Sequence, residues 1–196
     1  QVLNVLTFLA LHRRGVSRDQ FIEAMWPKQT PSGQTVRNRL VDSRARVDGA
    51  ITEGPPWRLD ESITTDWQEF TVLAAGTPDQ QRQALQLIRG RPFDGLDDAH
   101  WLHLEGFRSE VEAAIVDVAL TVAERDLDNG NYPGALAAAR KGLLASRYEE
   151  RVHRAGIRAA LAQGLDGIAD TLETEMRIAL DLDIEPDDTV QPETLA

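Results

Sequence analysis

Apolar residues recur at three- and four-residue steps along most of this chain, and that helical period is the strongest constraint on its fold. The clearest departure lies at residues 50–52 and 57–59, two short β-like pieces around a Gly-Pro-Pro turn, which predict a hairpin. Three helices are predicted before this hairpin, and an all-helical region follows it. The sequence therefore predicts a mostly α protein.

The region before the hairpin is divided by helix start and stop signals. Residues 2–12 predict a first helix, with Gly15 as its C′ glycine. Ser17 and Gln20 have the spacing of a capping box at the start of a second helix. Ser32 is the predicted N-cap of a third helix that ends near residue 47. Three helices followed by a hairpin is the order of a winged helix-turn-helix, whose third helix enters the major groove of DNA.

The third predicted helix is locally basic in a chain of formal net charge -11. Its arginines alternate between two faces about 160° apart, at about 100° per residue. One interpretation is that some of them contact phosphate or guanine, with a further arginine acting from the hairpin. The other is a solvated helix face. The candidate DNA-binding residues are Arg37, Arg39, Arg44, Arg46 and Arg58.

Charge is unevenly distributed along the chain. Residues 1–66 hold 9 Lys and Arg against 8 Asp and Glu, whereas residues 67–196 hold 12 against 24. This asymmetry favours two modules with different partners. We place a winged helix-turn-helix at residues 1–62, with N-terminal strands missing, and a helical domain at residues 63–196.

The helical domain carries an internal repeat. Gly130 and Gly164 lie 34 residues apart, and the same shift aligns Ala135 with Ala169. A 34-residue period of helix pairs is typical of tetratricopeptide repeats, which mainly present binding surfaces. Arg147 departs from this pattern, because it stands where the repeat usually has its closing proline. One long helix is expected before the repeat, from Asp97 or Asp98 to about residue 128.

The residues of enzymes and metal sites are missing or poorly spaced. The chain has no cysteine, and it contains no phosphate-binding loop, nucleophile elbow or dinucleotide fingerprint. His100 and His103 are three residues apart, whereas helical zinc motifs more often use a spacing of four. We therefore predict no enzyme activity, no catalytic residue, no metal and no cofactor. The longest apolar run, residues 2–11, is too short to span a bilayer, so we expect no membrane contact by this segment and a cytoplasmic location.

Several motifs in order resemble the bacterial transcriptional activator domain. They are the tract RGRPFDGL at residues 89–96, His100-Trp101, Gly130-Asn-Tyr132 and the tract LDIEP at residues 182–186. The tracts LALH at residues 9–12, VSRDQ at 16–20 and IEAMWP at 22–27 resemble the winged-helix part of actinobacterial antibiotic-regulatory proteins, the SARP family. The resemblance implies an OmpR-type DNA-binding domain joined to a repeat domain that supports dimerisation and polymerase contacts.

The chain departs from that family at two positions of the third helix. Asp42 stands where an arginine is common, and Ser43 stands where a leucine usually packs. An acid facing phosphate is repelled, and a lost leucine weakens the anchor of the helix. The family's strand meander ahead of the first helix is also not present in the sequence.

Two hypotheses follow. The first is a transcriptional regulator that binds duplex DNA through the winged helix and contacts RNA polymerase, another protein or a second copy of itself through the helical domain. The alternative is a protein-interaction or signalling module that does not bind DNA, at the end of a larger, membrane-tethered protein.

Overall fold

The computed structural model describes residues 1–181, and this part of the chain is mostly helical. Its helices are α1 (Val2–Leu11), α2 (Arg18–Met25), α3 (Gly33–Ala45), α4 (Asp66–Ala74), α5 (Pro78–Gln86), α6 (His100–Leu104), α7 (Phe107–Asp128), α8 (Tyr132–Ala145), α9 (Glu150–Leu161) and α10 (Asp166–Ala179). The predicted mostly α class is confirmed. The tract at residues 182–186 lies outside the described residues.

The chain forms two compact units. Among the described residues, the first contains residues 1–68 and 93–107, and the second contains residues 69–92 and 108–181. Residues 93–107, which the sequence placed in the helical domain, therefore belong to the same unit as α1, α2 and α3. The domain boundary between residues 62 and 63 stays a prediction.

The core of the first unit is built from α1, α2, α3, the paired segments around residue 57 and the segment 93–107. Phe8 and Phe21 are almost completely buried at its centre. Trp101 packs edge-on against Phe8, with ring centroids 4.9 Å apart, and its indole Nε1–H donates to Asn4 Oδ1 at 2.7 Å. This hydrogen bond joins residues that lie 97 positions apart in the chain.

The extended segments pair as isolated antiparallel bridges. Ile51 pairs with Leu59, and Trp57 pairs with Val16. The N–H of Val16 donates to the carbonyl of Trp57 at 2.8 Å, and the N–H of Trp57 donates back at 2.9 Å. Gly15 has φ +99°, and a Cβ at this position would lie 3.0 Å from Pro56 Cβ. The prediction that Gly15 is the C′ residue of α1 is wrong: the C-cap is His12, and Gly15 instead forms the turn that brings Val16 to Trp57.

The second unit stacks helices in sequence order, with α8 packed on α9 and α9 packed on α10. Alanines and glycines line these contacts and let the helices approach closely. Gly142 of α8 shows this best, because a Cβ there would lie 2.9 Å from Ala119 Cβ and 3.1 Å from a methyl group of Val152.

The predicted 34-residue repeat coincides with a repeat of backbone geometry. Gly130 and Gly164 both have positive φ, at +72° and +69°. At the first turn the N–H of Asn131 donates to the carbonyl of Asp126 at 2.8 Å. At the second turn the equivalent bond joins residues 165 and 160 at 3.0 Å. Ala135 and Ala169, which the shift also aligns, are both buried. The same turn is thus formed twice.

The long helix predicted from Asp97 or Asp98 to residue 128 is wrong in its first part. The chain forms the short α6 instead, and Gly106, at φ +75°, separates it from α7. The N-cap of α6 is Ala99, which supplies no side-chain cap. Leu104 fits the apolar period but is 84% exposed, because the break in the helix changes which face is buried. Within the described residues, no helix has both the length and the apolar character needed to cross a membrane.

Candidate nucleic-acid interface

Helix α3 is held to the first unit along one side. Its N-cap is Ser32, whose hydroxyl accepts a hydrogen bond from the Thr35 N–H at 3.1 Å. Val36 and Leu40 are buried in the core. Ser43 is fully buried on the same side, where its hydroxyl donates to the carbonyl of Arg39 at 2.8 Å. Because this hydroxyl is hydrogen-bonded, its burial avoids the desolvation penalty that an unpaired polar group would carry.

Arg44 connects the end of α3 to the first extended segment. Its side chain is half-buried, its Nε–H donates to the carbonyl of Ile51 at 2.9 Å, and its Nη2 donates to the carbonyl of Thr52. The guanidinium therefore bonds two successive carbonyls, a use that its planar array of donors suits. At about 100° per residue Arg44 lies on the same face as Arg37, two turns away, but the structure places the two side chains in different surroundings.

Arg58 lies in the second extended segment, with an exposed side chain. Its N–H donates to the Thr52 hydroxyl at 3.0 Å, and its carbonyl accepts from the Thr52 N–H at 3.1 Å. The contacts of Arg44 thus fix the segment that pairs with Arg58.

Asp60 lies two residues beyond Arg58 and is exposed. The hydrogen bond from the Ser62 hydroxyl lowers the pKa of Asp60. The Ser62 N–H and the nearby charges of Arg13 and Arg58 lower this pKa further. A carboxylate that stays ionised offsets part of the positive charge around Arg58.

The other arginines of α3 are distributed over two faces, as the helical period predicted. Arg37 is exposed, and its Nη1 lies 3.5 Å from Gln34 Oε1. Arg39 is half-buried, with its guanidinium carbon 5.8 Å from the ring centroid of Trp26, a cation–π contact. Arg46 is the C-cap and is exposed. Arg37 and Arg46 are therefore the arginines of this helix that are turned fully to solvent.

The face of α3 opposite the core is mainly uncharged. It carries Gln34, Asn38, Val41 and Ala45, all of them exposed. Gln34 Nε2 donates to Asn38 Oδ1 at 2.7 Å, so the two amides lie side by side one turn apart. The distribution of charge in the sequence did not reveal this face. The signal was present in the helical period, since residues 34, 38, 41 and 45 lie opposite Val36 and Leu40.

Asp42 is exposed beside this face. At about 100° per residue it lies on the flank opposite Arg37, towards Arg46. The surface of α3 therefore runs from a basic flank, across an amide and methyl strip, to a flank that carries Asp42 and Arg46.

The histidine pair does not form part of a metal site in this structure. Across residues 1–181, no three His, Asp or Glu side chains are grouped so that they could hold a metal ion. His100 and His103 both lie on the short α6.

Comparison with known proteins places the chain in a family. No curated protein and no solved structure matches it. The family model described as "Bacterial transcriptional activator domain" matches residues 72–192. This match covers more than half of the sequence and includes all four of the motifs on which the resemblance to this domain was based. The chain therefore belongs to the bacterial transcriptional activator domain family, a regulatory family whose function is of the transcriptional-activator type.

Proposed function

We propose that this chain is a transcriptional regulator that binds duplex DNA through a winged helix-turn-helix formed by residues 1–62. In this proposal α3 enters the major groove, and the segments around Arg58 contact the backbone beside it. The observation that carries the proposal is the attachment of α3. The helix is anchored by Val36, Leu40 and Arg44, while its opposite face is left exposed for a partner.

The arginines have different roles in this proposal. Arg37 and Arg46 on α3 and Arg58 on the hairpin are exposed and contact phosphates. Arg39 lies over Trp26 and has its charge partly engaged by the ring, so we assign it a supporting role. Arg44 positions the hairpin relative to α3 and is not a principal DNA contact.

The second unit supplies contacts to proteins in this proposal. Its tetratricopeptide-like character is supported by the turn that is formed twice, 34 residues apart, and by the buried alanines that follow each turn. Val72 and Ile178 are each 70% exposed, so apolar side chains are available on its surface. The partner is RNA polymerase, another regulatory protein or a second copy of this chain.

A titration of the purified chain with duplex DNA at several salt concentrations tests the proposal. The logarithm of the binding constant should fall with the logarithm of salt by about 0.9 per phosphate contact, a slope of about -3 for three arginines. Arg58→Ala should weaken binding and reduce the slope by about one unit. No binding to a broad set of genomic duplexes at low salt would overturn it.

The second candidate is a protein-interaction or signalling module that does not bind DNA, as part of a larger, membrane-tethered protein. The exposed carboxylate of Asp42 on α3 favours it, because an acid near phosphate opposes binding. The same titration separates the two candidates, since the module shows no salt-dependent association with duplex.

A further inference from the structure

We propose that the uncharged strip of α3 reads adenine–thymine base pairs, with Gln34 and Asn38 contacting adenine and Val41 contacting the thymine methyl group. This inference rests on the proposed function, because it names the sequence class that the same helix would select. The strip lies opposite the buried residues Val36 and Leu40, so it is the face that would point to the floor of the groove.

The chemistry of the two amides carries the inference. In the major groove, adenine presents an acceptor at N7 beside a donor at N6, and a Gln or Asn amide matches both at once. Guanine presents two acceptors, which a guanidinium matches and an amide does not. Arg37, the arginine nearest the strip, lies on the flank and not at its centre. The residues at the centre therefore favour adenine over guanine.

The structure orders these amides before any ligand is bound. Gln34 donates to Asn38 at 2.7 Å, and Arg37 approaches Gln34 from the other side at 3.5 Å. This chain of contacts restricts the rotamers of two exposed side chains, so less entropy is lost when they meet a base. The Cα atoms of Gln34 and Asn38 are about 6 Å apart along the helix, so the two side chains reach neighbouring base pairs.

Val41 adds an apolar contact next to the amides. It is 53% exposed, whereas Val36 and Leu40, the other large apolar residues of this helix, are buried in the core. An exposed valine in the groove makes favourable contact with the C5-methyl group of thymine, the apolar group on the major-groove edge of the bases. Thymine pairs with adenine, so Val41 and the amides favour the same base pairs.

The test is a selection from a random duplex library with the 196-residue chain, followed by affinity measurements on the selected duplex and on a random duplex. The chain should enrich A·T pairs at two or more adjacent positions. Asn38→Ala should reduce the ratio of the two affinities by about 5- to 150-fold, the discrimination of one bidentate contact, and Gln34→Ala should do the same at a neighbouring position.

Arg58→Ala is the matched control for phosphate contact. It should lower both affinities together and leave their ratio within about twofold. A second control replaces the thymines of the selected duplex by uracil, which removes only the methyl group. The wild-type chain should lose affinity for this duplex, whereas Val41→Ala should bind both duplexes equally.

The outcomes separate the two proposals. Enrichment of G·C pairs, or a ratio unchanged in both amide variants while circular dichroism shows them folded, overturns the inference and leaves the DNA-binding function standing. Failure of the wild-type chain to bind any duplex overturns the proposed function, and the inference with it.

Discussion

Replacing Arg44 tests the role that the structure gives to this arginine. Its guanidinium donates to the carbonyls of Ile51 and Thr52, and its side chain is half-buried. Hydrogen bonds that involve a charged group contribute about 1.5–3 kcal/mol each, and the value falls where water can replace the lost donor. Ile51 is buried, whereas Thr52 is partly exposed. We expect Arg44→Ala to lower the free energy of unfolding of the first unit by about 2–3 kcal/mol.

The tryptophans give a selective assay. All four, at positions 26, 57, 67 and 101, lie in the first unit, so their fluorescence during urea denaturation follows that unit. Arg44→Lys keeps the charge but cannot donate to both carbonyls from a planar group, so we expect it to recover less than half of the loss. Arg37→Ala is the control, because Arg37 is exposed and should change stability by less than about 0.5 kcal/mol.

The results have a direct bearing on the site. If Arg44→Ala is no more destabilising than Arg37→Ala, then the two carbonyl contacts do not hold the hairpin, and Arg44 returns to the set of candidate DNA contacts. If Arg44→Ala is destabilising as expected, a loss of DNA affinity in this variant reflects a misplaced hairpin. In that case the double variant Arg44→Ala with Arg58→Ala should keep the salt slope of Arg58→Ala alone, within about half a unit, because Arg44 itself contacts no phosphate.

Three further changes probe packing and charge. Gly142→Ala should destabilise the second unit by about 1–2 kcal/mol in a circular dichroism melt, because the added methyl group overlaps side chains of α7 and α9. The control is Gly167→Ala, which should be neutral or stabilising because a Cβ at Gly167 has no atom within 4 Å. Arg82→Ala should lower the free energy of unfolding by about 2–3 kcal/mol in the same measurement, because it leaves a fully buried carboxylate on α7 unpaired. The control, Arg151→Ala, removes only an exposed ion pair and should lower it by less than about 0.5 kcal/mol. Asp42→Asn should raise duplex affinity about two- to threefold at low salt, and the gain should shrink as salt rises; equal or weaker binding would mean that Asp42 faces away from the phosphates.

Local signals in the sequence predicted the starts of α2 and α3. The capping box of Ser17 and Gln20 is formed, with both of its hydrogen bonds present, and Ser32 caps α3 as expected. These features depend on residues three positions apart, so the sequence contains everything needed to recognise them. The turns at Gly130 and Gly164 are local in the same way, because each is formed by a glycine with positive φ and its chain neighbours.

Features that depend on distant residues could not be predicted in this way. The short α6 ends before Gly106, and its Trp101 is hydrogen-bonded to Asn4 of α1, 97 residues earlier in the chain. Trp101, Leu104 and Phe107 have helical spacing in the sequence, but Leu104 is exposed. The helical period therefore predicted buried residues within α7 but was wrong at Leu104, in the segment before it.

Among the site residues, too, local features could be predicted from the sequence and contacts with later segments could not. Periodicity alone placed the arginines of α3 on two faces, and the structure has them so. The hydrogen bonds of Arg44 join α3 to residues seven and eight positions later, across a turn whose course the sequence did not specify. Charge drew attention to the arginines, whereas the exposed amides required the helix to be viewed from the side opposite its buried residues.

The two departures from the family pattern in α3 have different consequences. Ser43 replaces a leucine that would anchor the helix, but its hydroxyl is buried and bonded to the carbonyl of Arg39. The next residue, Arg44, adds two contacts to the hairpin, so the last turn of α3 is anchored by polar contacts where the family uses an apolar one. The loss of the leucine is therefore compatible with a fixed helix. Asp42, exposed beside the amide and methyl strip, would oppose the proposed DNA binding, and its effect is limited to the strength of one screened charge.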